Sequence, residues 1–155
     1  GFAVLDSAVY TYDASGKIMK DEHYLQITGL PFPLPPTLTA RNTYTYSADG
    51  KNLLTVASDA AIPPATTLSP ATAQTYTVDA KTNPLIILNE AVLLSRVGLF
   101  NTNNVTKAVV TNTIDPAQNF TMDYIFRYNS ASKPDSSYGT RTPGGAVTAA
   151  KYFYQ

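Results

Sequence analysis

A tyrosine-rich octapeptide that recurs along the chain constrains the fold more than any other sequence feature. Residues 10–17 read Tyr-Thr-Tyr-Asp-Ala-Ser-Gly-Lys, and residues 44–51 read Tyr-Thr-Tyr-Ser-Ala-Asp-Gly-Lys. Aromatic residues at alternate positions place two rings on one face of a strand. The Asp or Ser that follows opens a turn, and Gly16 or Gly50 supplies the positive φ that closes a hairpin loop. Each unit therefore predicts a strand end, a tight turn and the start of a return strand.

Two weaker copies of the unit lack the glycine. Residues 76–83 read Tyr-Thr-Val-Asp-Ala-Lys-Thr-Asn, and residues 126–133 read Phe-Arg-Tyr-Asn-Ser-Ala-Ser-Lys. Thr82 and Ser132 stand where the first two copies have Gly, so these turns are predicted to differ in shape. Asp79 is expected to lie in a turn, where capping and solvation account for a carboxylate.

Period-two alternation predicts strands on both sides of these turns. The clearest strand spans residues 120–128, with an aromatic or apolar side chain at every second position. Further strands are predicted near residues 3–12, 18–27, 41–47, 51–58, 73–79, 105–114 and 147–154. Because parallel neighbours need long crossovers, the short connections predict antiparallel order. We expect one mainly β domain over residues 1–155, an antiparallel meander of about eight or nine strands in a curled sheet or half-barrel.

One segment departs from the strand pattern. Asn83 is a good N-cap, Pro84 suits the first helical position, and the residues that follow are apolar almost all round. We expect one short buried helix near residues 84–96, with a fully buried strand as the alternative. The proline-rich residues 31–36 and 62–70 are expected to be connections or edges, because proline cannot donate to a ladder.

Charge and cysteine content exclude several classes of function. The chain has 11 Lys and Arg against 11 Asp and Glu, so it has no electrostatic reason to bind nucleic acid. It has no Cys, which excludes a disulfide framework, a thiolate nucleophile and a Cys-based zinc site. Residues 1–25 lack the pattern of a signal peptide, and residues 84–100 are too short to span a bilayer, so the chain as given is expected to be soluble.

Candidates for catalysis are few. His23 is the single histidine, and its position within a predicted strand indicates a packed, hydrogen-bonded side chain rather than a general base. Asp123 and Arg127 lie opposite the aromatic face of their strand, which favours a cross-strand or solvent-exposed pair. We expect no catalytic residue, no metal site and no cofactor, and therefore not an enzyme.

Tyrosines are the candidates for binding. Rings stack on sugars through their faces, and a tyrosine also carries a polar tip. The chain has 11 Tyr but no Trp, and tyrosines at alternate strand positions usually belong to a sheet core or to cross-strand pairs. Tyr24 and Tyr138 are the least obviously structural, so these two are the weak candidates for contact with a ligand.

The Tyr-Thr-Tyr units resemble the YD-type repeats of large bacterial cell-surface shell proteins. A closer resemblance is to small secreted lipoproteins of the Bacteroidetes type, which belong to domain families of unknown function. Those chains combine tyrosine hairpins with an Asn-Pro-led apolar helix and an Asn-Asn-Val-Thr-Lys strand start, matched here by residues 83–85 and 103–107. The resemblance implies an exported lipoprotein domain in the periplasm or at the surface of a Gram-negative bacterium. The membrane would then be reached only through a lipid anchor on a Cys upstream of residue 1.

These observations favour a non-catalytic, exported cell-envelope domain with a structural or binding role. Its partner would be a glycan or another envelope protein. The alternative is a glycan-binding module for polysaccharide capture. A glycoside hydrolase that uses paired carboxylates is the third hypothesis.

Overall fold

The chain folds into a single antiparallel sheet. The computed structural model describes residues 3–32, 34–62, 65–84 and 101–153. Within these ranges the order of the nine strands in the sheet is their order in the chain, which confirms the predicted meander. The strands are β1 (Ala3–Tyr12), β2 (Ile18–Thr28), β3 (Thr37–Tyr46), β4 (Leu53–Ala60), β5 (Ser69–Thr82), β6 (Asn103–Asn112), β7 (Phe120–Tyr128), β8 (Pro134–Thr142) and β9 (Val147–Lys151).

The sheet is open, because β1 pairs only with β2 and β9 pairs only with β8 among the described strands. A 3-10 turn over Pro116–Gln118 is the one helical element in the described ranges. The helix predicted near residues 84–96 lies outside the described residues except for Pro84. No described helix has the length and apolar content that a membrane crossing requires.

The first and fourth octapeptides form the same kind of turn. Gly16 donates its N–H to the Asp13 carbonyl, and Ser132 donates to the Asn129 carbonyl in the same way. Gly16 and Ser132 occupy the same position in the two loops, and both have a positive φ, 82° at Gly16 and 59° at Ser132. The prediction that the fourth turn differs in shape is therefore wrong. The Asn129 side chain bonds two backbone N–H groups of its loop, as Asp13 does, and this bonding holds Ser132 in a conformation that usually selects glycine.

The third octapeptide is not a turn. Strand β5 continues through it to Thr82, and the register shifts because Val78 lies opposite Val105 whereas Thr82 lies opposite Asn103. Four residues of β5 are therefore matched by two of β6, which is a bulge in the strand. Asp79 lies in this bulge, so its predicted place in a turn is also wrong.

The two faces of the sheet differ in composition. One face, which we call the aromatic face, carries the alternate rings of the octapeptides and of β7, including Tyr44, Tyr76 and Tyr124. Cross-strand pairs such as Tyr44 with Val56 and Tyr76 with Ala108 keep these side chains on one side. The opposite face carries threonines and charged residues, such as Thr43, opposite Lys20 in the neighbouring strand.

The small core lies on the aromatic face where β2, β3 and β4 meet. Ile18, Tyr44, Leu53 and Val56 are buried there, with Tyr46 and Tyr76 packed against them. Leu53 is 0% exposed, and the Asn101 amide satisfies both of its backbone groups. The Leu53 N–H donates to Asn101 Oδ1 over 2.7 Å, and Asn101 Nδ2 donates to the Leu53 carbonyl over 3.2 Å. A buried asparagine thus replaces the ladder bonds that this strand end would otherwise lack.

Candidate functional site

An open groove on the face opposite the aromatic face contains Tyr138 and is the candidate site. In β8, Tyr138 lies between Ile125 of β7 and Ala149 of β9, which are its direct cross-strand neighbours. The Tyr138 residue is 48% exposed, although strands flank it on both sides. The groove has a volume of about 380 Å³ and is lined by Ile125, Arg127, Ser136, Ser137, Tyr138, Ala149 and Ala150. We call it the Tyr138 groove.

A second row of side chains gives the groove its polarity. Ser136 of β8 lies opposite Arg127 of β7 on one side and Lys151 of β9 on the other. Because neighbouring strands are about 5 Å apart, the two basic residues lie roughly 10 Å apart across Ser136. Lys151 places its Nζ 5.6 Å from the Phe153 ring centroid, and Arg127 forms no ion pair within the described residues. The Tyr138 groove therefore combines an exposed ring, a hydroxyl and a guanidinium. No acidic residue lines it, although the Ser136 hydroxyl donates to the Oδ1 of the neighbouring Asp135 over 2.9 Å.

The sequence pattern identified Tyr138 but not its neighbours. Arg127 was expected to pair with Asp123, whereas Asp123 faces Lys107 of β6 at 3.8 Å and leaves Arg127 in the groove. The signal that could have placed Arg127 correctly is the register between β7 and β8, which sets it opposite Ser136.

The second tyrosine candidate lies far from the first. Tyr24 is in β2, half-buried, and pairs with Ser7 and Leu38. Its strand is six positions from β8 in the sheet, which corresponds to roughly 29 Å at the usual spacing between strands. The structure therefore does not bring Tyr24 and Tyr138 together into one site.

His23 belongs to a polar cluster around a buried carboxylate. Its Nε2 lies 3.1 Å from Asp21 Oδ2, and the Asp21 side chain is only 1% exposed. Tyr44 donates its hydroxyl to Asp21 Oδ1 over 2.5 Å, and Asn42 Nδ2 donates to Oδ2 over 2.9 Å. Burial, and then the bond to Asp21, raise the pKa of Tyr44 above its ordinary value, because an ionised phenol there would be poorly solvated and close to a carboxylate.

The geometry of this cluster is that of a satisfied buried carboxylate. Ser58, which lies opposite Asn42 in the neighbouring strand, donates its hydroxyl to Asn42 Oδ1 over 2.6 Å. Asn42 and Asp21 therefore stand between Ser58 and the imidazole, which is not the order of a nucleophile, a base and an orienting acid. The close approach to Asp21 agrees with the predicted hydrogen-bonded role of His23, but its side chain is 39% exposed, so the predicted packing in the sheet core is not seen.

A similar cluster surrounds Asp79 in the β5 bulge. The Asn104 backbone N–H and side-chain amide both donate to its carboxylate, and the Tyr128 hydroxyl also donates to it. Burial, followed by the bond to Asp79, raises the pKa of Tyr128. No group of three or more His, Cys, Asp or Glu side chains that could hold a metal ion occurs among the described residues. We infer that the clusters around Asp21 and Asp79 stabilise the pairing of the strands that contribute to them.

Comparisons with known proteins find only distant structural similarities. No protein-family model and no curated protein match the chain. Among solved structures it is similar to a DUF3836 family protein from Parabacteroides distasonis ATCC 8503, with 15% identity, a TM-score of 0.41, and coverage of 72% of this chain and 75% of the other. It is also similar to a protein of unknown function from Bacteroides fragilis NCTC 9343, with 10% identity, a TM-score of 0.44, and coverage of 95% and 89%.

A third similar structure is a porin-like protein from Bacteroides uniformis ATCC 8492, with 9% identity, a TM-score of 0.31, and coverage of 95% and 88%. With TM-scores below 0.5, these similarities carry no argument about activity. The first two neighbours are Bacteroidetes proteins without an assigned function, among them a DUF3836 member.

Proposed function

We propose that this chain is a non-catalytic domain exported to the cell envelope of a Gram-negative bacterium, where it binds a partner through the Tyr138 groove. The observation that carries the proposal is the exposure of Tyr138 in the middle of a paired strand. Backbone pairing on both sides fixes the position of the Tyr138 backbone before any ligand arrives, so little backbone entropy is lost on binding. A rigid sheet that presents an aromatic ring and polar groups is suited to recognition.

Export is supported by the composition of the surface and by the resemblance to secreted lipoproteins. Only 22 of 155 residues are charged, and threonine, asparagine and serine provide much of the polarity instead. To test export, the complete gene product is expressed with a C-terminal tag in a Bacteroides host, and the cells are fractionated. We expect the protein in the envelope fraction, labelled by a palmitate analogue. Recovery in the cytosol without label would contradict export.

A glycan is the partner that the groove favours. The exposed ring of Tyr138 offers a stacking surface, and the Arg127 guanidinium offers hydrogen-bond donors beside it. The Ser136 hydroxyl already donates to Asp135 Oδ1 over 2.9 Å, so it can offer a ligand only its oxygen as an acceptor. Because a guanidinium but no carboxylate lines the groove, an acidic sugar that places its carboxylate at Arg127 suits it better than a neutral sugar. This second proposal refines the first, since it names the chemical class of the ligand.

Replacing Tyr138 by Ala is expected to weaken binding of an acidic polysaccharide by at least about tenfold, because it removes the stacking ring from the centre of the contact. Affinity electrophoresis through gels containing polygalacturonate, with dextran as the neutral comparison, measures the effect. The matched control is Tyr24→Ala, a change of the same size that lies six strands away. Absence of retention of the unmodified chain by either polymer would exclude these glycans. Equal retention of both variants would exclude the Tyr138 groove as the site.

A further inference from the structure

The edge of β1 that faces away from β2 has no partner strand among the described residues. All ten residues of β1 are exposed, including Val4, Leu5 and Val9, each of which is at least half exposed. The strand contains no proline and no lysine, and Asp6 is its one charged residue. Natural sheets protect their edges with short strands, lysines, prolines or bulges. The opposite edge follows this rule, since β9 is only five residues long and ends in Lys151.

The backbone of β1 is arranged to accept another strand. The Asp13 N–H donates across the hairpin to the Lys17 carbonyl. Since successive residues of a strand point their polar groups in opposite directions, the odd-numbered residues of β1 bond to β2. The N–H and C=O groups of Val4, Asp6, Ala8, Tyr10 and Tyr12 therefore point away from the sheet. Five consecutive even-numbered residues thus offer a ladder without a partner.

We propose that this edge binds the same edge of a second copy of the chain, forming an antiparallel β1–β1 pair about a two-fold axis through Ala8. This register sets Asp6 opposite the partner's Tyr10 and Val4 opposite the partner's Tyr12, so that all outward-pointing groups pair. It also keeps the two Asp6 carboxylates four residues apart along the strand, roughly 13 Å, and places no like charges opposite each other. Because β1 carries only one charged residue, its best partner is another strand with little charge, and the β1 of a second copy is such a strand.

The choice of a self-paired dimer over other occupants also follows from the two edges. Pairing of β1 with β9 of another copy would match ten residues with five, leave half of β1 uncovered, and generate an open chain of copies. The β1–β1 pair covers the full edge and closes after two copies. In the closed dimer the outer edges are the two short β9 strands.

Sedimentation velocity on the 155-residue chain over a wide concentration range tests the proposal. We expect a dimer for the unmodified chain and a monomer for Ala8→Pro, because proline removes the edge N–H on the axis without removing a bond to β2. The matched control is Ala149→Pro. Tyr152 donates its N–H toward β8, so the Ala149 N–H points to the other edge, and this variant is expected to remain dimeric. Circular dichroism checks that each variant keeps its fold.

A monomeric unmodified chain, a dimeric Ala8→Pro variant or loss of assembly in both variants would overturn the proposal, the last result indicating head-to-tail pairing. Cysteine substitution gives an independent readout, because the chain has no Cys of its own. Directly opposed residues in a hydrogen-bonded antiparallel pair have Cα atoms about 5.5 Å apart, which is within reach of a disulfide. Mild oxidation is therefore expected to link Ala8→Cys into covalent dimers and to leave Ala149→Cys without a covalent link between its two copies.

Discussion

Replacing Leu53 by Ala is expected to lower the free energy of unfolding by about 3 kcal/mol, the usual loss for a fully buried leucine that leaves a cavity. Leu53 is 0% exposed and belongs to a core of only a few side chains, so neighbours on other elements cannot easily fill the space. A domain of this size is stabilised by about 5–15 kcal/mol in total, so the variant would lose a large part of its stability. Urea unfolding followed by circular dichroism measures the change.

The control for this prediction is Leu25→Ala, the same substitution in β2 at a residue that is 40% exposed. We expect it to cost well under half as much, because much of that side chain already contacts water. Equal losses in the two variants would mean that the buried cluster around Leu53 is not the main source of stability.

The second large effect concerns alkaline pH. The pKa values of Tyr44, Tyr76, Tyr124 and Tyr128 are all raised, chiefly because burial disfavours the ionised phenol, and that of Tyr76 is raised to about 12. In the unfolded chain these phenols ionise near pH 10. The folded state therefore holds more protons above that pH, and stability that is fully present below it is lost as the pH rises through the folded pKa values.

The expected slope can be stated for each tyrosine. Between the unfolded and folded pKa values, one retained proton lowers the free energy of unfolding by about 1.4 kcal/mol for each pH unit. Tyr76→Phe removes one such proton, so its stability should fall less steeply between pH 10 and about 12 than that of the unmodified chain. Urea unfolding at a series of pH values measures both slopes, and the curves should run parallel from about pH 7 to 9, below the range in which the Tyr76 phenol ionises in either state. Identical slopes above pH 10 would contradict a buried Tyr76 phenol.

Local patterns were sufficient to predict eight of the nine described strands and two of the turns, but they did not predict β8, the strand that carries Tyr138. The alternation in residues 120–128 and the glycines at positions 16 and 50 act through neighbouring residues, so they can be read without knowing what packs against them. Ser132 shows the limit of this reasoning. Its positive φ is imposed by the Asn129 side chain, and a rule based only on glycine does not detect it.

Features that depend on the register between strands could not be predicted from the sequence. Asp79 has the local surroundings of a turn residue, and only the distant Asn104 and Tyr128 reveal that it supports a bulge. No sequence pattern marked Asp21 as buried, although it is the most buried carboxylate among the described residues. The Tyr138 groove depends on register in the same way. Tyr138 stands out in the sequence, whereas its cross-strand neighbours come from two other strands and are identified only by the pairing.

The sequential order of the sheet has a consequence for how the chain acquires and loses structure. Since every strand pairs only with the strands before and after it, a hairpin formed at any point can grow by adding the next segment, without waiting for distant parts of the chain to meet. Loss of structure can likewise begin at either end and leave the middle intact, as in a stack of repeats with nearest-neighbour coupling. The two ends of this series are β1 and β9, each of which pairs on one side only among the described strands. Pairing of β1 with a second copy would slow the loss of structure from that end.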